Sequence, residues 1–141
     1  MKILSLIVLC FSLLSLPCTA QAQTAEEKAA MQQVVEGQLN AFAVDDGGKA
    51  YEFAAPVVKG AFPNVDIFMT MVKRGYRPVY RNSERQFAEV APDAQGRPAV
   101  HVLLKAEDGK RWEAVYTMEQ QADGSWKIAG CYLRAVAGTD V

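Results

Sequence analysis

His101 and Tyr116 are the side chains of this sequence best suited to acid–base chemistry in a pocket. An imidazole titrates near neutrality and can exchange a proton with a neighbouring phenol or with a substrate held beside it. That is the chemistry of a small isomerase, lyase or hydrolase. The competing reading of His101 is a strand residue with an ordinary hydrogen-bond partner. His101 is the single histidine, which excludes a multi-histidine metal site.

Other groupings have structural explanations. Asp45 and Asp46 form an acidic pair, but they sit beside Gly47 and Gly48 at the end of an apolar-periodic segment, where helix capping and turn chemistry account for them. They lack the alternating oxygen ligands of a calcium loop. Lys73, Arg74, Arg77, Arg81 and Arg85 make a basic stretch interrupted by Tyr76 and Tyr80. It suits an anionic ligand, a lipid headgroup or an acidic partner. The preferred reading is a solvated helix end running into an edge strand protected by charge. The sequence has no glycine-rich phosphate loop, no nucleophile elbow and no HExxH.

The elements that must position these groups fall into two blocks. Thr24 and Glu27 form a capping box ahead of Met31, Val34, Val35, Leu39 and Phe42, an apolar stripe at helical spacing. Asp45 to Gly48 ends that helix. A short second helix is predicted over Lys49 to Ala55, stopped by Pro56. A third starts at Asn64, carries Val65, Phe68, Met69 and Val72 on one face, and is expected to close on a left-handed Gly75. Beyond Pro78 the pattern alternates, and strands are predicted near Val79–Arg81, Arg85–Val90, Ala99–Glu107, Arg111–Gln120 and Trp126–Ala135. Helices first and an antiparallel meander after give an α+β fold, with the helices packed on one face of a curved antiparallel sheet.

Turn chemistry sets the expected register. A two-residue Asp108-Gly109 turn pairs Glu107 with Lys110 and places His101 across from Tyr116. A three-residue Ala122-Asp123-Gly124 loop pairs Glu119 with Lys127, Met118 with Ile128 and Tyr116 with Gly130. One face then carries His101, Leu103, Trp112, Ala114, Tyr116, Met118, Trp126, Ile128 and Tyr132. The other carries Val102, Leu104, Val115, Thr117, Ala129, Cys131 and Leu133. A slip of one residue would exchange the faces.

Residues 1–22 read as a secretory signal peptide. Lys2 is the positive start, Ile3 to Leu16 the apolar run, and Ala20-Gln21-Ala22 the small-x-small site before Gln23. The run is shorter than a membrane span. Cys18 suits a lipoprotein site poorly, because Pro17 stands where a small residue belongs. Cleavage leaves a single domain over residues 23–141, a periplasmic or extracellular location, and no transmembrane segment. Of the three cysteines only Cys131 remains, so no intrachain disulfide forms, and the lone thiol reads as a small buried side chain. The mature chain keeps fourteen basic residues against sixteen acidic ones. That balance argues against a nucleic-acid partner, whose footprint is a basic surplus.

A resemblance spans most of the mature chain. Its matching pieces are Ala41-Phe42 with Asp45-Asp46, Phe53-Ala54-Ala55-Pro56, Phe68 with Met71-Val72, and Gly75-Tyr76-Arg77-Pro78-Val79. Asp108-Gly109 with Trp112 and Tyr116 follow, then Asp123-Gly124-Ser125-Trp126-Lys127-Ile128 with Gly130-Cys131. On these the chain resembles the bacterial exported proteins of the domain of unknown function 4864 family. In layout it also resembles the wider NTF2-like (SnoaL, ketosteroid-isomerase-type) architecture, a sheet wrapped around helices as a cone with a pocket. The resemblance implies that fold and no activity, since one fold hosts many functions. Enzymes of the wider group place a carboxylate or a His–Asp pair in the cone, and the inward face expected here has none.

The expectation is therefore an exported, soluble, noncatalytic module that binds a small apolar or amphipathic ligand, or a protein, without a cofactor or metal. The expected ligand-binding residues are Tyr76, His101, Trp112, Tyr116 and Tyr132. The alternative is a small pocket enzyme using His101 and Tyr116. A strip of Val102, Leu104, Val115 and Leu133 on the outer face would join two copies in a homodimer.

Overall fold

The computed structural model describes residues 22–138, so all of the leader read over residues 1–22 except Ala22 lies outside the described residues. Helix α1 (Ala25–Ala43) opens with the predicted capping box: the Glu27 N–H donates to Thr24 Oγ1 at 3.1 Å, and the Thr24 N–H donates to Glu27 Oε2 at 2.8 Å. Both bonds satisfy backbone donors that a first helical turn leaves free. Met31, Val35, Leu39 and Phe42 are buried along one face. At its end Asp45 takes a positive φ of 57°, and Asp46 caps α2 (Gly47–Glu52) by accepting the Lys49 N–H at 3.0 Å.

Two short helices appear where the sequence suggested a stop and a strand. Pro56 begins α3 (Pro56–Ala61) rather than merely ending α2, because the first helical position needs no N–H. Val79–Arg81, expected as a strand, instead overlaps α5 (Arg77–Tyr80), with Pro78 in its first turn. Between them α4 (Val65–Gly75) is capped by Asn64, whose Oδ1 accepts the Ile67 N–H at 2.9 Å, and it buries Phe68, Met69 and Val72. Gly75 is the last helical residue and not a left-handed cap; the positive-φ glycines among the described residues are Gly96, Gly109 and Gly124. No helix among the described residues is long and apolar enough to cross a membrane.

The sheet is an antiparallel meander in the order β1 (Asn82–Val90), β2 (Ala99–Ala106), β3 (Arg111–Gln120), β4 (Trp126–Ala135). The β3–β4 loop has the expected three residues, and Glu119 pairs with Lys127 and Met118 with Ile128. The β2–β3 loop is also a three-residue turn, not the two-residue turn read from Asp108-Gly109. Ala106 and Lys110 close it, and Gly109 at φ +82° donates to the Ala106 carbonyl at 2.9 Å. Gly124 repeats the device at φ +86°. In both loops the third residue must be left-handed, which glycine adopts without a steric penalty.

That extra loop residue shifts β2 by one. His101 pairs with Val115, and Tyr116 pairs with Val100. A bulge at Ala129 then sets Tyr116 across from Cys131 instead of Gly130. The inner face presents Val100, Val102, Leu104, Ala114, Tyr116, Met118, Trp126 and Ile128 to the helices, with Cys131 and Leu133 packed at its edge. His101, Leu103, Glu113, Val115, Thr117 and Tyr132 alternate to the outer face. The proposed dimer strip therefore does not form: Val102 and Leu104 are core, Leu133 packs against it, and Val115 is itself fully buried.

Candidate functional site

A chamber of about 350 Å³ lies between the inner sheet face and the helices. Its walls are Gln38 and Phe42 of α1, Val57, Val58 and Ala61 of α3, and Phe68, Met71 and Val72 of α4. Phe62, Tyr76 and Val79 join them, with Tyr116 of β3 and Ile128 to Cys131 of β4. The volume falls at the lower end of small-molecule sites. Local chain geometry explains why the space stays open. The segment before α3 pairs with β4 through the Ala55 N–H to the Ile128 carbonyl (2.8 Å) and the Ile128 N–H to the Phe53 carbonyl (2.9 Å). The Tyr51 hydroxyl holds the far end by donating to the Phe62 carbonyl at 2.6 Å. Suspended between these ties, α3 buries none of its own residues and arches over the opening.

The lining holds no Asp, Glu, Lys, Arg or His. Its side-chain polar groups are few, and two of them make hydrogen bonds within the fold. The Tyr76 hydroxyl donates to the Cys131 carbonyl at 2.9 Å, and Gln38 Nε2 donates to the Ala50 carbonyl at 3.1 Å. The Tyr116 hydroxyl is buried with no hydrogen-bond partner of normal geometry, although the Cys131 thiol lies nearby. Burial holds the Tyr116 phenol well above its usual range. The same cause pushes the Cys131 thiol up to about 12, opposed by its contact with Tyr116, so the sulfur stays protonated and unreactive at neutral pH.

The two residues best suited to acid–base work are not brought together. Tyr116 faces the chamber; His101 is on the opposite face of the sheet, and its partner is a carboxylate that sequence reasoning did not place beside it. His101 Nδ1 lies 2.8 Å from Glu113 Oε1, and Arg134 Nε donates to Glu113 Oε2 at 2.8 Å. Burial raises the Glu113 pKa, but the bonds from His101 and Arg134 outweigh it and hold the carboxyl below its usual range. His101 Nε2 is buried without a partner. Glu113 and His101 are diagonal neighbours on one face only in the observed register, so the shift of β2 concealed the pair.

Of the other expected ligand residues, Tyr76 lines the chamber. Trp112 sits at the far end of the sheet beside Arg85, Leu104 and Val136. Tyr132 is on the outer face, partly exposed. Sequence reasoning missed Gln38, Val58, Phe62 and Met71 as lining residues. Met71 is one turn from Phe68 on α4, but the role of Val58 required knowing that Pro56 starts a helix.

The basic stretch is largely consumed within the fold. Arg81 Nη2 reaches both Asp45 oxygens, at 2.8 and 2.7 Å, and its Nη1 donates to the Phe42 carbonyl at 2.7 Å. The Tyr80 hydroxyl also bonds Asp45, and the Arg81 guanidinium lies 4.0 Å from the Tyr80 ring centre. These bonds from Tyr80 and Arg81 lower the Asp45 pKa and fasten the α1–α2 turn to α5. Arg77 pairs with Glu107 at 2.9 Å, and Arg85 with Asn40. Among the described residues no group of three His, Cys, Asp or Glu side chains could hold a metal ion.

Residues 24–141 match the family described as domain of unknown function (DUF4864), and the chain belongs to that family. No curated protein and no solved structure matches it.

Proposed function

We propose that this family member is an exported, noncatalytic binding protein that holds one small apolar or amphipathic molecule in the α3–α4–β4 chamber, the pocket of an NTF2-like cone. The observation that carries the reading is the chamber itself: about 350 Å³, walled mostly by apolar side chains and with no charged one among them. A pocket with few convergent polar groups binds through burial and orients its guest through those groups. Separation of His101 from Tyr116 by the thickness of the sheet favours binding over acid–base catalysis in the chamber, because His101 and its Glu113 partner lie on the opposite face. The leader read over residues 1–22 supports export.

Native mass spectrometry of the protein purified from its own host tests this. The expected spectrum carries one small-molecule adduct, lost in Val58→Trp, which puts a bulky indole on the chamber wall. Absence of an adduct, together with no saturable binding of an apolar dye that Val58→Trp blocks, refutes the reading.

A further inference from the structure

We infer that the chamber selects an occupant carrying an uncharged hydrogen-bond donor, a hydroxyl or an amide N–H, which it gives to Oε1 of Gln38. This rests on the chamber being a binding site and specifies what it takes. Gln38 is one of the chamber walls and stands on α1 among the buried Val35, Leu39 and Phe42. The residue is itself only 4% exposed. Its amide is held in one orientation, because Nε2 donates to the Ala50 carbonyl at 3.1 Å. That bond also decides which end of the amide is which, nitrogen towards Ala50 and oxygen left over. Among the described residues no donor reaches Oε1. Unlike the sealed Tyr116 oxygen, it keeps accessible surface.

A guest that fills the chamber takes solvent away from Oε1. If it offers only carbon, or an ether or ester oxygen, the amide oxygen ends buried with no donor, and binding bears that cost. A hydroxyl or an amide N–H at the same point replaces what the solvent supplied. The donor has to be neutral. No Asp or Glu stands in the wall to balance an ammonium, and the Cys131 thiol is protonated. Recognition then separates neutral guests of equal size by whether they can donate.

The test is displacement of a bound apolar dye from the purified protein at pH 7.5 by three compounds: 1-octanol, its isomer heptyl methyl ether, which has no donor, and octylammonium. The alcohol is expected to bind about tenfold more tightly than the ether or the ion, the effect of one buried hydrogen bond met or unmet. Gln38→Met keeps the length of the side chain and removes the amide, and it is expected to bring alcohol and ether within about twofold of each other. Gln38→Asn draws the amide back by one methylene; it is expected to do the same and serves if Gln38→Met does not fold. An ether that matches the alcohol on the wild-type protein overturns the inference while leaving the pocket reading intact. So does octylammonium binding as tightly as the alcohol, or a preference that survives at full size in the variants. If neither the dye nor any of the compounds binds in a manner blocked by Val58→Trp, the pocket reading itself fails and takes the inference with it.

Discussion

Removing the Tyr116 hydroxyl should stabilise the ligand-free protein, while removing the equivalent atom of Tyr76 should destabilise it. Both are phenols at the same chamber, and both variants are Tyr→Phe. They differ in what the oxygen does: at Tyr76 it donates to the Cys131 carbonyl at 2.9 Å, and at Tyr116 it has no partner. Folding strips water from the Tyr116 hydroxyl without replacing it, a cost of about 1–3 kcal/mol. Loss of the oxygen leaves a void on the order of 10 Å³, worth only about 0.2–0.3 kcal/mol. The net expectation for Tyr116→Phe is a gain of about 1 kcal/mol. For Tyr76→Phe a satisfied bond is broken, a loss of about 1 kcal/mol. Urea unfolding followed by tryptophan fluorescence reads both, and each change should move the midpoint by about 0.5 M in opposite directions at constant slope. If Tyr116→Phe falls as far as Tyr76→Phe, the Tyr116 oxygen is satisfied in the folded protein and the reasoning is wrong.

Three further outcomes are expected. The Asp93 carboxylate is fully buried; burial raises its pKa, but bonds from the Arg97 backbone and side chain, Thr117 and Gln95 outweigh this and hold it at about 2. Its contribution is present above pH ~4 and is lost as pH falls from there towards 2. Urea midpoints for Asp93→Asn should therefore lie below wild type at pH 7 and converge with it by pH 2; parallel curves would refute the assignment. The Cys131 thiol should resist a disulfide reagent at pH 8 in the folded chain starting at Gln23 and react at once in denaturant, whereas fast labelling of the folded chain would contradict a pKa near 12. His101→Ala should cost about 1–2 kcal/mol of stability through the lost Glu113 bond yet alter dye affinity in the chamber less than twofold, because the two sites are on opposite faces of the sheet.

What could be read from the sequence was whatever a local signal dictates. Thr24 with Glu27, and Asn64, announce helix starts through bonds made within one turn, and the structure has both. The alternation read beyond Pro78 gave the meander and its order, although its first stretch, Val79–Arg81, overlaps a helix. The site was less legible because it depends on counting by single residues. Asp108-Gly109 looks like a two-residue turn, yet Glu107 joins the loop, and that one residue sends His101 to the far side of the sheet from Tyr116. The Ala129 bulge carries no sequence mark, since alanine has no special preference for a bulge, and it alone turns Cys131 towards the chamber. Pro56 reads as a stop or as a start with equal ease, and only the start yields the α3 arch.

The bulged stretch of β4 has a consequence for how this binding site can be altered. At Ala129 and Gly130 the floor offers only a methyl group and bare main chain, and a Cβ added at Gly130 would point into open space. Shaving side chains there can therefore deepen nothing. Room for a bulkier guest has to come from the roof, by trimming Phe62 or Met71, while the floor stays a fixed template against which any such guest is gauged.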